Sequence, residues 1–350
     1  MTDQRFRVGL IGYGRSGRDI HARTVKRLDK FFEIAAVSDT NENRRAQASA
    51  ENDCPVYADY REMAARDDID LYVNTAFSNL HVPISVDLLR RNKAVLCEKP
   101  LTNSMKEFEE LASAIKETGS FFTSFHNLRY EPVFVKLREW LASGLIGEPL
   151  QITMTANSFH RRWDWASMRS KGGGILMMLG VHYLDLALQL AGADYSPDVK
   201  CCMKHHGIGD ADNYAKVLLT SESGPSIDIE CSYFDAFPRP RYHVQGTHGT
   251  ILCTESKIEA RYYDPSVVIP IEPTDEPLQN EEGNPTFCRE QLPMETKTWE
   301  HNQNLYKISF NTYYERLYEA LAGRGAMPVT LDELRQQVNI LETCYRDAKF

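Results

Sequence analysis

Short, mostly apolar runs alternate over roughly the first 125 residues with stretches whose apolar side chains recur every three or four positions. The apolar runs are Arg7–Ile11, Glu33–Ser38, Asp70–Thr75, Ala94–Cys97 and Phe121–Ser124. A run apolar at nearly every position marks a strand covered on both faces, because a strand with one wet face alternates. Helical spacing occupies Ser16–Leu28, a polar stretch starting near Glu42, Pro83–Arg91 and Ser104–Thr118, where Ser104 is placed to cap the helix. Strands alternating with helices predict a parallel, doubly wound α/β sheet.

The texture changes after about Asn127. Helices are expected over Pro132–Ser143, ending at Gly144, and over Gly174–Ala191. Strands are expected over Leu150–Asn157, Tyr214–Thr220, Ser226–Phe234, Arg241–Gly246 and Thr250–Cys253. Glu272–Glu300, rich in Pro, Glu, Asn and Gln, reads as an extended loop, and two helices close the chain at about Asn304–Ala322 and Leu331–Lys349. The pattern predicts two domains, 1–126 and 127–350, the second an α+β unit on one mostly antiparallel sheet, with the C-terminal helix able to pack back on the first. A chain of 350 residues suits that division.

Composition narrows the function classes. A net charge of -9 and short arginine pairs give no field for nucleic acid or an anionic membrane. The most apolar stretch, Ile175–Ala191, is broken by Gly180, His182 and Asp185, so a core helix is expected there and no membrane span. The eight cysteines form no C-x-x-C pair and no zinc spacing, so no metal is expected. Met1-Thr2-Asp3-Gln4-Arg5 carries no apolar leader, and the reading is a soluble cytoplasmic protein with reduced thiols.

The strongest local signal is Gly12-Tyr13-Gly14-Arg15-Ser16-Gly17, directly after the first strand and before the first helix. Glycines at these spacings permit a tight turn, close backbone approach to a pyrophosphate, and close helix–strand packing. The helix N-terminus then offers free N–H donors to the phosphates. Asp39 follows Gly17 by 22 residues, at the end of the second strand, where a carboxylate accepts from adenosine ribose hydroxyls. It repels a 2′-phosphate, so NAD is expected over NADP; Arg44 and Arg45 weaken that preference slightly. A Rossmann dinucleotide-binding domain is therefore expected.

Further segments make the reading specific. Thr75-Ala76-Phe77-Ser78-Asn79-Leu80-His81, Glu98-Lys99-Pro100, and Gly172-Gly173-Gly174 running on to His182 and Asp185 resemble motifs of the Gfo/Idh/MocA oxidoreductase family. Asn127-Leu128-Arg129-Tyr130-Glu131-Pro132 and Ser143–Pro149 resemble its domain-crossing segment. The resemblance implies hydride exchange between NAD(P) and a sugar, glycoside or cyclitol alcohol, in a homodimer or homotetramer. It implies cofactor contacts from Thr75, Ala76, Asn79, His81, Glu98, Lys99 and Asn127 beside the glycine loop. Lys99 and His182 suit proton transfer, since burial lowers a lysine's pKa and a histidine exchanges protons near neutrality.

One departure stands out. The family pattern has an aspartate one helical turn before the histidine, and this chain has Met178. Asp185, three residues after His182, is a substitute whose more ordinary role is as a structural hydrogen-bond partner. In Phe159–Trp165, Trp163 and Trp165 are expected to face a sugar ring, with His160 and Asp164 on its hydroxyls; a loop that merely packs has the same sequence. Two other readings fit: a non-catalytic NAD(P)-sensing regulator, and a redox-neutral enzyme that cleaves or epimerises glycosides with retained NAD.

Overall fold

A computed structural model describes residues 4–237, 239–288, 290–302 and 305–348. Strands β1 (Phe6–Ile11), β2 (Phe32–Ser38), β3 (Val56–Tyr57), β4 (Leu71–Asn74), β5 (Val95–Cys97) and β6 (Phe122–Ser124) form one sheet in the order β3-β2-β1-β4-β5-β6. Every pairing in it is parallel. Crossovers run through α1 (Arg23–Arg27), α2 (Glu42–Asn52), α3 (Tyr60–Ala64), α4 (His81–Arg90) and α5 (Met105–Thr118). A π-helical turn, Ser16–Ala22, precedes α1. Ser104 caps α5 by accepting from the Glu107 N–H. The expected doubly wound sheet is present. The short β3 and α3 escaped the sequence reading because two and five residues are too few to show a period.

After α6 (Pro132–Ala142) and the crossing strand β7 (Pro149–Asn157), a turn at Leu176–Gly180 leads into α7 (Val181–Ala191). The strands β8 (Asp198–Lys204), β9 (Tyr214–Thr220), β10 (Ser226–Ser232), β11 (Tyr242–Gly246), β12 (Gly249–Cys253), β13 (Lys257–Tyr262) and β14 (Glu295–Glu300) complete an eight-stranded sheet with β7. Its order is β14-β13-β12-β11-β7-β10-β9-β8, and only β7 and β10 run parallel. The reading of Glu272–Glu300 as loop is corrected at its end. Glu295–Glu300 pairs antiparallel with β13 although only Trp299 is partly buried. An edge strand of Glu, Thr and Lys carries no apolar signal, and its backbone bonds alone place it. β8 and β13, likewise unexpected, are rich in charged residues on one face.

Two helices close the chain, α8 (Leu305–Leu321) and α9 (Leu331–Asp347); the expected end points Asn304 and Lys349 lie outside the described residues. Tyr313, Tyr314 and Tyr318 of α8 pack among Phe6, Phe32 and Phe125 of the first core. α9 is shared: Leu334 and Val338 join the first core, and Ile340, Leu341 and Cys344 join the second. A Thr330–Glu333 capping box fixes its start. The helical run Arg169–Ala191 has the length and hydropathy of a membrane span, yet 72% of its most apolar window is buried inside the protein, as in a core helix.

Candidate active site

Strand register gathers the site. Ile11 pairs with Ser38 and with Asn74, Asn74 with Cys97, and Cys97 with Ser124. These residues form one row across the sheet, so the next residues, Gly12, Asp39, Thr75, Glu98 and Phe125, emerge together at its carboxyl edge. Lys99 and His126 follow one step further out. The chain leaves β1 toward β2 on one side while β4 lies on the other, which makes this edge the topological switch point where α/β sheets bind ligands.

Gly12 has φ +90°, and a Cβ there would stand 2.8 Å from the Thr75 carbonyl oxygen. At Gly17 a Cβ would lie 2.0 Å from the Gly12 oxygen. The Thr75 hydroxyl locks the turn by donating to the Ile11 and Gly12 carbonyls, at 2.9 Å each. A Cβ at Gly14 would instead meet nothing nearer than the Arg44 guanidinium at 3.6 Å, so that flank is open for close backbone approach. Asp39 is buried and accepts from the Tyr13 N–H at 2.7 Å and the Asn41 N–H at 2.8 Å. Arg44 Nη1 stands 3.8 Å from its carboxylate. An open glycine cradle at a helix start, with an acid at the next strand end, fits a dinucleotide. Arg15 is exposed at the tip and Ser16 opens the helix.

Four residues expected at the cofactor have side chains engaged within the protein. The Tyr13 hydroxyl donates to Glu51 and accepts from Asn52, both at 2.8 Å. His81 lies between the carbonyls of Pro100, at 2.6 Å, and Ala76, at 3.1 Å. Glu98 meets His21 Nε2 at 3.1 Å, and Asn127 donates to Ser309 Oγ at 3.0 Å. All four are buried, so their polar atoms must be satisfied internally, and they shape the cradle from behind. Thr75 and Ala76 stay at the partly open rim, and Asn79 is exposed. Burial alone would raise the Glu98 pKa, but the His21 hydrogen bond and the nearby charges hold it below the usual carboxylate range.

Lys99 crosses from the first sheet to the second unit. Its Nζ donates to the Met178 carbonyl at 2.8 Å, in the π-helical turn just before α7. The position that lacks the expected carboxylate thus contributes a backbone oxygen. Burial lowers the Lys99 pKa, Glu98 raises it, and Arg15 and Arg162 press it down further. The net direction is downward. His182 is held well below the ordinary histidine range, by burial first and then by Lys99, His126 and Arg241. It is therefore a neutral imidazole at neutral pH.

Asp185 takes the structural role. It grips Arg129, with Nη2 at 2.5 Å and Nε at 2.8 Å, and Arg129 also donates to Glu333 and the Pro328 carbonyl, both at 3.0 Å. Sequence reasoning missed three contributors. Asp212 receives the Leu176 N–H at 2.9 Å and the Tyr345 hydroxyl at 2.9 Å, close under Gly174, where a Cβ would stand 2.1 Å from Asp212 Oδ1. His21 holds Glu98, and His126 lies beside His182. Position in the register, two residues beyond β6 and level with Lys99, is the signal that would have found His126.

The aromatic loop is divided. Trp163 is 78% exposed, whereas Trp165 packs edge-on against Phe77 at 5.4 Å. Asp164 is bound by Arg162 at 2.6 Å, and the His160 ring lies 4.3 Å from that of Tyr233. A Trp163→Ala variant should unfold at the same temperature as the parent, since Trp163 packs on so little. If Trp163 stacks on substrate, KM should rise by up to about tenfold; an unaltered KM would remove it from the site.

Two family models match successive parts of the chain. Residues 6–126 match the family model described as an oxidoreductase family with an NAD-binding Rossmann fold, and residues 134–252 match the GFO/IDH/MocA C-terminal domain. Over 362 aligned positions the chain is 26% identical to the uncharacterized oxidoreductase YdgJ of Escherichia coli, covering 100% of this chain and 98% of that one. It is 24% identical to the scyllo-inositol 2-dehydrogenase (NADP(+)) IolW of Bacillus subtilis, with 98% and 94% covered. Among solved structures, a levoglucosan dehydrogenase in complex with NADH and levoglucosan superposes with a TM-score of 0.81 at 16% identity, covering 98% of this chain and 97% of that one.

Proposed function

Because the chain belongs to the Gfo/Idh/MocA family of NAD-binding oxidoreductases, we propose that it oxidises a secondary ring hydroxyl of a sugar, glycoside or cyclitol. Residues 1–126 would bind the dinucleotide and residues 127–350 the substrate. The observation that carries this reading is Lys99, one step beyond the cradle row, reaching the turn that leads into α7, the helix that carries His182. When bound, a nicotinamide dinucleotide supplies the hydride acceptor. The Lys99 ammonium donates a hydrogen bond to the substrate oxygen and favours the developing alkoxide, and His182 receives the hydroxyl proton. The Rossmann edge and α7 hold the two groups from opposite sides, so substrate is positioned between rigid elements. The relatives' names support the alcohol class: IolW is a scyllo-inositol 2-dehydrogenase, and the structural neighbour is a levoglucosan dehydrogenase. The eight free cysteines suit a reducing cytoplasm. A homodimer or homotetramer acting on free small molecules completes the reading.

Purified protein incubated with NAD or NADP and a panel of cyclitols, sugars and glycosides should form reduced cofactor with at least one of them. No reduction across the panel with either cofactor would sink the proposal.

NAD is the proposed cofactor: the Asp39 carboxylate, at the end of β2 beside the glycine turn, would accept from the adenosine ribose hydroxyls. Arg44 lies against it and would meet a 2′-phosphate if the acid were gone. Asp39→Ser should shift the NADP-to-NAD ratio of kcat/KM by at least about tenfold toward NADP, the equivalent of about 1.4 kcal/mol. An unmoved ratio would show that Asp39 does not read the ribose.

A further inference from the structure

The sheet edge presents a second histidine level with Lys99. Ser124 pairs with Cys97 across β6 and β5, so His126 and Lys99 both lie two residues beyond the same row. His126 is 1% exposed, and neither of its ring nitrogens has a hydrogen-bond partner among the described residues. The Nδ1 of His182 is also buried and unpartnered. The two rings stand perpendicular, 6.1 Å between centres, and His126 Nδ1 is 3.8 Å from Asp185 Oδ2.

A buried nitrogen without a hydrogen-bond partner is costly, so three of them on two neighbouring rings call for a use. Resting on the oxidoreductase reading above, we propose that His126 is a positioning residue that orients His182 and links it to Asp185, in place of the carboxylate absent at Met178. In this arrangement His182 Nδ1–H donates to His126 Nε2, and His126 Nδ1–H donates to Asp185 Oδ2. His182 Nε2 is left bare toward the substrate. Active-site hydrogen bonds are commonly long without ligand and tighten when substrate is bound. Asp185 is a firm end point, because both its oxygens are held by Arg129.

With a bound nicotinamide to accept the hydride, the hydroxyl proton would pass to His182 Nε2 as the substrate's C=O bond forms. The imidazolium so made keeps its Nδ1 proton hydrogen-bonded to His126, whose own N–H points its dipole toward the Asp185 carboxylate. The groups facing His126 are Glu98, Lys99, Arg129 and Asp185, and those facing His182 are Lys99, Arg241 and His126 itself. Burial lowers both histidines, so both rings begin neutral, as the relay requires.

The test compares His126→Leu and His126→Gln, the second of which places an amide where it can accept from His182 and donate to Asp185. In the whole protein labelled with ¹⁵N-histidine, the His182 ring should show the neutral Nδ1–H tautomer. His126→Leu should lose that tautomer and about 10- to 100-fold in kcat with KM held, and His126→Gln should restore the tautomer and most of kcat. A merely structural His126 would leave the tautomer unmoved. An unchanged His182 tautomer and kcat in His126→Leu overturns the proposal. Should His126→Leu not fold, a His126→Gln protein whose His182 tautomer differs from wild type overturns it equally. If wild-type protein reduces neither NAD nor NADP with any alcohol, the oxidoreductase reading fails instead, and the tautomer comparison still decides the link between the rings.

Discussion

Replacing Lys99 with methionine is expected to lower kcat/KM for alcohol oxidation by about 10²- to 10⁴-fold while the protein remains folded. Methionine matches the apolar stem of lysine and removes only the ammonium. The first sheet loses one contact to the second unit, the 2.8 Å bond to the Met178 carbonyl. That contact is worth about 0.5–3 kcal/mol, a fraction of the stability of a chain this size. Turnover loses its charged donor beside the substrate oxygen, where charge develops in the transition state. Stopped-flow formation of reduced cofactor, alongside a thermal melt, separates the two effects. A folded Lys99→Met protein with kcat/KM within about threefold of wild type would remove Lys99 from the chemistry and, with it, the main support for the proposed mechanism.

The largest effect on stability is expected from Arg129→Met, which should cost about 3–5 kcal/mol at pH 7. Arg129 is 6% exposed and is the cation between Asp185 and Glu333. Its removal leaves Asp185 as a buried carboxylate facing only His126 at 3.8 Å. Burial by itself raises the Asp185 pKa, but His126 and Arg129 together outweigh it and hold the group below the usual aspartate range. A carboxyl depressed in the folded state contributes stability that is present above its unfolded value, about 3.9, and is lost as pH falls through the folded value. In Arg129→Met the guanidinium's share of that depression is lost, so Asp185 takes up a proton in the folded state at higher pH than in wild type. The gap between the two proteins should therefore be widest near pH 7 and narrow toward pH 4. Urea unfolding at both values measures it. A gap below about 1 kcal/mol at pH 7, or one that does not narrow, would show that the pair is not the support described.

The alternating strands and helices of the first sheet were legible because each strand there is covered on both faces and each helix is amphipathic. The glycine loop and Asp39 were legible because backbone conformation and charge constrain residue type at those points. In the second sheet β7, β9 and β10 were expected from longer alternating apolar runs; β13, with only Ile258 and Ala260 buried in the core, and the polar β14 were not. Within the site, local spacing shows what a residue can do but not what it meets. Glu98, His81 and Asn127 lie in the motifs that suggested cofactor contact, yet their partners come from residues as distant as His21 and Ser309. Met178 was read as a missing acid, and its side chain is indeed no substitute. Its carbonyl nonetheless receives the lysine, a role any residue could fill and no side-chain pattern can announce. Asp185 looked like a possible partner of His182 at helical spacing, and the cation that claims it arrives from 56 residues away in sequence.

The bond between Lys99 and the Met178 carbonyl has a consequence for how substrate enters. One of the three N–H groups of the ammonium is engaged there, which anchors the donor before substrate arrives. A substrate hydroxyl would meet one of the remaining N–H groups already held in place, so little ordering is left to be done on binding. The bond strengthens as the substrate oxygen gains negative charge, and loss of the ammonium should be felt in kcat far more than in KM.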